Sequence, residues 1–212
     1  MKLVLARHGE SMLNLENRYQ GKIETPLSDK GRAQARQLAE GCRRYRAAAL
    51  YSSPALRARQ TAEPVSAAIG LPVQVNEGLR EADMGELEGM LHRDVRTKWP
   101  ELAELMRRDM GAVTFPGGES VRNMQDRAWA ALHELAARHG DDTVIAVTHQ
   151  YTVRALVCKV LELPLSRFES FDLASVCITT VETTPRGVRL VNLNDTCHVD
   201  AAVNATTPST QR

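Results

Sequence analysis

Short apolar runs alternate along the chain with longer stretches in which apolar residues recur every three or four positions. Leu3 to Ala6 is a continuous apolar run ending in Arg7-His8-Gly9-Glu10, which predicts a buried strand feeding a loop. Between Ser28 and Ala48, the residues Ala35, Leu38, Ala39 and Cys42 share one helical face. Leu50 to Ser52 predicts a second strand. Ser53-Pro54 then offers an N-cap and a first-position proline for a helix running to Ile69 and ended by Gly70. Val73 and Val75 mark a third strand within Pro72 to Asn76.

From Asp83 to Gly118 the rhythm breaks into a polar, Met-dotted stretch with helical spacing around Glu101 to Met110, interrupted by Pro100 and closed by Pro116-Gly117-Gly118. It reads as a small helical lid inserted into the main domain. Regularity returns with Val121, Met124, Ala128, Ala131 and Leu135 on one helix face, a strand at Val144 to Val147, and a helix carrying Val153, Leu156, Val157, Val160 and Leu161. Strands at Val176 to Val181 and Val188 to Leu193 complete the set. Strands alternating with helices imply a three-layer α/β/α fold around a mostly parallel sheet, with ligands bound at the carboxyl ends of the strands. One domain over residues 1–199, with its insertion at about 83–118, and a disordered tail over 200–212 are the expected organisation.

Composition narrows the function. Aromatic residues are 4% of the chain, too few for a base-stacking platform, and 27 Lys plus Arg against 26 Asp plus Glu create no global field for nucleic acid or anionic lipid. Any anion site must be local. Cys42, Cys158, Cys177 and Cys197 form no CxxC pair, which points to a reduced, cytoplasmic protein, and no apolar run is long enough for a signal peptide or a membrane span. A homodimer is left open.

The candidate chemistry sits at the predicted strand ends. His8 follows the first strand and His149 follows the strand ending at Val147, while Arg57 falls in the first turn of a helix, where an anion is favoured. Gly9 is expected to let a ligand approach the backbone. His92, His133, His139 and His198 have no such context and read as surface or structural residues. No HExxH or paired cysteine suggests a metal, and the His8-x-Glu10 spacing is a weak signal, so neither metal nor cofactor is expected.

An ordered series of motifs resembles the histidine phosphatase superfamily, also called phosphoglycerate mutase-like, in its broad-specificity and α-ribazole phosphatase-like branch. The series comprises Leu5-Ala6-Arg7-His8-Gly9-Glu10-Ser11 with Asn14, Pro26-Leu27-Ser28-Asp29-Lys30-Gly31, and Ser52-Ser53-Pro54 through Arg57 to Ala62. Leu79-Arg80-Glu81, Pro116-Gly117-Gly118-Glu119-Ser120 and Val147-Thr148-His149 continue it. The resemblance implies that His8 is the phosphorylated nucleophile, that Arg7, Arg57 and His149 bind the transferred phosphoryl group, and that Glu81 is the proton donor. It also implies substrate contacts from Ser11, Asn14, Gln20, Gly21 and Gln150.

A phosphoryl group in transfer spreads charge over three equatorial oxygens, which suits a fixed cationic clamp of guanidinium forks. The implied activity is metal-independent hydrolysis of a small phosphorylated metabolite, releasing inorganic phosphate. A phosphoglycerate mutase and a silent phospho-ligand binding protein are the alternatives. Arg80-Glu81-Ala82-Asp83-Met84-Gly85 differs from the RHYG-type signature of the mutases and favours hydrolysis. Gln150 stands where many members carry glycine, and Leu87 where an aromatic residue is common. Arg93, Arg96, Lys98, Arg107 and Arg108 in the insertion offer either a reader for a second acidic group or a solvated helix face.

Overall fold

A computed structural model describes residues 1–200. The expected tail therefore lies, Asp200 apart, outside the described residues. Six strands form one sheet: β1 (Lys2–Arg7), β2 (Ala49–Ser52), β3 (Val73–Val75), β4 (Thr143–Thr148), β5 (Ile178–Thr184) and β6 (Gly187–Asp195), in the order β3-β2-β4-β1-β5-β6. The first four are mutually parallel, β5 runs antiparallel to β1, and β6 antiparallel to β5. The helices are α1 (Met12–Leu15), α2 (Asp29–Cys42), α3 (Leu56–Ile69), α4 (His92–Lys98), α5 (Pro100–Arg108), α6 (Val121–His139) and α7 (Gln150–Val160).

Alternation along the central strands explains the layers. Leu3, Leu5, Val144 and Ala146 face a core shared with Leu132 and Leu135 of α6 and Leu156 and Val157 of α7. Their neighbours Val4, Ala6, Ile145 and Val147 face Leu38 and Ala39 of α2 and Ala58, Ala62 and Val65 of α3. Such two-sided burial is why these strands are continuous apolar runs, and it makes the sheet the middle of three layers. In the expected insertion, Met84, Leu87, Val95, Met106, Met110 and Phe115 build a third cluster against Val121 and Met124 of α6 and Ala155 of α7.

Several boundaries shift for local reasons. The helix expected to reach Ala48 ends at Cys42, tightens into a 3-10 turn at Arg43–Tyr45, and closes at Arg46 with φ 46°. Ser53-Pro54 does not start α3. The cap residue is Ala55, with no side-chain hydrogen bond, and the Ser53 hydroxyl is used elsewhere. Val176, expected in a strand, has φ 54°, so the extended ladder of β5 begins only at Ile178. Gly9 also has a different role from the one expected. A Cβ on it would lie 2.6 Å from the Gly31 carbonyl oxygen, so glycine is needed where the loop after β1 meets the backbone of α2.

Candidate active site

Three adjacent parallel strands, β2, β4 and β1, each hand over a polar residue immediately after their last position: Ser53, His149 and His8. The register pairs Arg7 with Thr148, and His8 N–H donates to the Thr148 carbonyl at 2.9 Å, so the two histidines emerge side by side. Their ring centroids are 5.1 Å apart and edge-on, at 63°. Both side chains are buried.

Hydrogen bonding assigns the proton of His8. Its Nδ1 lies 2.7 Å from the Gly9 carbonyl oxygen, which can only accept, so Nδ1 carries the hydrogen and Nε2 presents a lone pair. Arg57 Nε donates toward that Nε2 at 3.3 Å, and its terminal nitrogens hold the carbonyls of Gly21 at 2.9 Å and Ile23 at 3.2 Å. Burial, then the charges of Arg57 and Arg7, push the His8 imidazolium well below its ordinary range, so the ring is neutral. Burial, Arg57 and His8 do the same to His149. Burial also lowers Arg57, to about 10, which leaves its charge intact at neutral pH. Arg7 anchors its guanidinium on the Leu173 carbonyl.

Glu81 enters from the loop before the insertion and is buried against the first turn of α7. One carboxylate oxygen accepts Tyr151 N–H at 3.1 Å, and the other accepts Thr152 N–H at 3.2 Å and Ala82 N–H at 3.1 Å. Burial raises its pKa, against the opposing pull of these N–H groups and Arg57. A carboxyl held in this way can retain a proton nearer neutrality than a solvated one.

Arg7, His8, Asn14, Gln20, Gly21, Arg57, Glu81 and Gln150 all line one cavity. His149, edge-on to His8, is not among the lining residues. Ser11 is also set back: it caps α1, and its hydroxyl lies 3.1 Å from Asn14 Oδ1 and 2.6 Å from Gln20 Oε1, turning both amides. The remaining wall was not anticipated. Arg18, Tyr19, Met84, His92 and Tyr151 complete it, and the ring of His92, expected at the surface or in a structural role, packs tilted at 57° against Tyr19, with centroids 4.3 Å apart. The pairings of Arg18 with Leu91 and of Tyr19 N–H with the Met90 carbonyl bring these distant segments together. By contrast, none of the five basic residues of the insertion reaches the cavity; Arg107 pairs with Glu104 and Arg93 with Asp94 at the surface.

Glu10 turns from His8 toward Ser28, whose hydroxyl donates to it at 2.7 Å, and toward Lys30 at 3.7 Å. Asp195, Cys197 and His198 bring ligand atoms within 4.8 Å of one another, but the Arg44 guanidinium already donates to the Cys197 sulfur at 3.1 Å and to Asp195 at 2.6 Å. A cation there would compete with that guanidinium. No helix among the described residues is long and apolar enough to cross a membrane.

Residues 3–196 match the histidine phosphatase superfamily (branch 1), and the chain belongs to that family. It is 35% identical over 199 residues to phosphoserine phosphatase 1 of Hydrogenobacter thermophilus, covering 94% of each protein. It is also 34% identical over 174 residues to the glucosyl-3-phosphoglycerate phosphatase of Mycolicibacterium vanbaalenii, covering 79% of this chain and 77% of that one. Among solved structures, Bacillus stearothermophilus YhfR superposes with a TM-score of 0.89 at 30% identity, over 94% of this chain and 99% of that one. The chain is accordingly a phosphoric monoester hydrolase of the phosphohistidine class, a phosphatase of small phosphorylated metabolites that releases inorganic phosphate.

Proposed function

We propose that the chain hydrolyses a small phosphomonoester without a metal ion, with His8 as nucleophile and Glu81 as proton donor. The observation that carries this reading is the shared cavity of a neutral His8, its proton fixed on Nδ1 by Gly9, and a buried Glu81 carboxyl. In the first step the Nε2 lone pair of His8 forms a bond to phosphorus as the bond to the leaving oxygen breaks, and protonated Glu81 supplies that oxygen with its proton. In the second, the Glu81 carboxylate takes a proton from water as the water oxygen attacks phosphorus. The bond to Nε2 breaks and inorganic phosphate leaves.

Arg7, Arg57 and His149 provide the fixed donors around the equatorial oxygens, which lets side chains do the work a metal does elsewhere. Asn14, Gln20, Gly21 and Gln150 line the approach to the phosphate. Arg18, Tyr19 and His92 face the rest of the substrate and suit an organic body bearing a second polar or anionic group, such as a phosphorylated hydroxy or amino acid.

The test is phosphate release from a panel of small phosphomonoesters in the presence of chelator, with His8→Ala alongside. Release by the unmodified protein and none by the variant is the expected result. Activity lost to chelator alone, or retained by His8→Ala, overturns the proposal. Transfer without net phosphate release, dependent on a bisphosphorylated primer, would indicate a mutase.

A further inference from the structure

His149 makes its hydrogen bond through Nε2, 2.7 Å from the Ser53 hydroxyl, while its buried Nδ1 has no hydrogen-bond partner among the described residues. Ser53 and His149 are both fully buried. A buried ring nitrogen left without a partner is costly unless something it binds completes the bond. We propose that Ser53 is a positioning residue for the phosphatase reaction: its hydroxyl donates to Nε2 of His149 and holds the ring's single proton on Nδ1, as a donor for the phosphoryl group. The proposal rests on the reading that His149 belongs to the phosphoryl clamp.

Ser53 is placed for this by its strand. Its N–H donates to the Val147 carbonyl at 2.9 Å, tying it beside the end of β4 from which His149 emerges. The Ser52 hydroxyl donates to the Ser53 carbonyl at 2.8 Å and steadies the same backbone. On its accepting side the Ser53 oxygen receives the Ala55 N–H, at 3.4 Å, which leaves its proton to be donated.

The ring has only one proton to place, because burial first, and then the charges of Arg57, Arg127 and Arg7 and the neighbouring His8 ring, disfavour a second. Were Nε2 the protonated nitrogen, Nδ1 would turn a lone pair toward an anionic ligand and repel it. His8 and His149 thus share one tautomer and use it in opposite ways. His8, with its Nδ1–H given to Gly9, offers the lone pair of Nε2. His149, with Nε2 occupied by Ser53, offers the hydrogen of Nδ1.

The experiment is two-bond proton–nitrogen correlation spectroscopy on the full chain labelled with ¹⁵N-histidine, near neutral pH, for the unmodified protein and Ser53→Ala, with kcat measured for both. We expect the unmodified His149 to show the Nδ1–H pattern. In Ser53→Ala that pattern shifts toward Nε2–H and kcat falls about 10- to 100-fold, as for other lost orienting partners of histidine. An Nε2–H pattern in the unmodified protein overturns the proposal without recourse to the variant, so a variant that fails to fold does not shelter it. An unchanged His149 pattern or an unchanged kcat in folded Ser53→Ala also overturns it. An Nδ1–H pattern in a protein that releases no phosphate from any ester would instead fault the phosphatase reading.

Discussion

Arg57 holds three things at once: Nε2 of His8 at 3.3 Å and, through its terminal nitrogens, the carbonyls of Gly21 and Ile23. The proposed nucleophile and the loop that walls the cavity are therefore positioned by one guanidinium. Arg57→Ala should lower kcat/KM about 10²- to 10³-fold, the scale of losing one preorganised donor to a developing oxyanion. Arg57→Lys should recover little, since an ammonium cannot span these acceptors in a planar fork. Steady-state kinetics decides; a lysine variant within tenfold of the unmodified protein contradicts the assignment.

In its proposed role as proton donor Glu81 has to begin the cycle protonated, and burial raises its pKa in that direction. The rate for esters with poor leaving groups should therefore fall as pH rises through the raised Glu81 value. His8 is held neutral by its lowered pKa, so the acid limb should lie well below the ordinary imidazole range. Glu81→Gln should remove the alkaline limb and depress poor leaving groups about 10²- to 10⁴-fold, with a smaller effect on the phosphorylation step for activated aryl esters. Equal losses in that step for both ester classes would show that Glu81 is not the acid.

Gly31 allows α2 to approach the loop after β1. A Cβ there would lie 1.9 Å from the Glu10 carbonyl oxygen, a backbone atom with no freedom to swing aside. Gly31→Ala should cost about 2 to 4 kcal/mol through forced displacement of packed backbone. Because that loop carries His8, activity should fall as well, even in the folded fraction. Denaturant melts and specific activity, measured together, check both effects.

The two site histidines also make stability depend on acidity. Both have pKa values lowered well below 6.5 in the folded protein, so the unfolded chain binds more protons as pH falls through that value. Their contribution is present above about pH 6.5 and is lost below it, at up to about 1.4 kcal/mol per pH unit for each proton. Glu81 acts the other way: its raised pKa gives stability that is lost as pH rises through the folded value. His149→Asn should flatten the acid side of the curve of unfolding free energy against pH. An unchanged slope would mean that His149 is not held neutral by the fold.

The layers were legible because Leu3 to Ala6 and Val144 to Val147 bury both faces, and such runs cannot belong to surface strands. The pair His8 and His149 was legible because each stands one residue beyond the end of such a run. Ser53 was not, since Ser-Pro satisfies the local rule for a helix start, whereas its actual partner, His149, lies 96 residues away. Arg18 and Tyr19 escaped for a related reason. They reach the cavity through the bridge of Arg18 to Leu91 and the bond of Tyr19 to Met90, contacts with no periodic signature. Gly9 was noticed, but the neighbour requiring it was taken for a ligand and is the backbone of α2.

The phosphohistidine is the most direct object to measure. The Glu81→Gln variant, mixed with a labelled activated aryl phosphate in the presence of chelator, should form the intermediate and resolve it slowly, because the base for water is gone. After an alkaline quench, mass spectrometry should find one phosphoryl group per chain, acid-labile and carried on His8. Labelling on His149 or on any residue other than His8, or aryl alcohol release with no phosphorylated chain at any time, would contradict the assignment of His8 as the nucleophile.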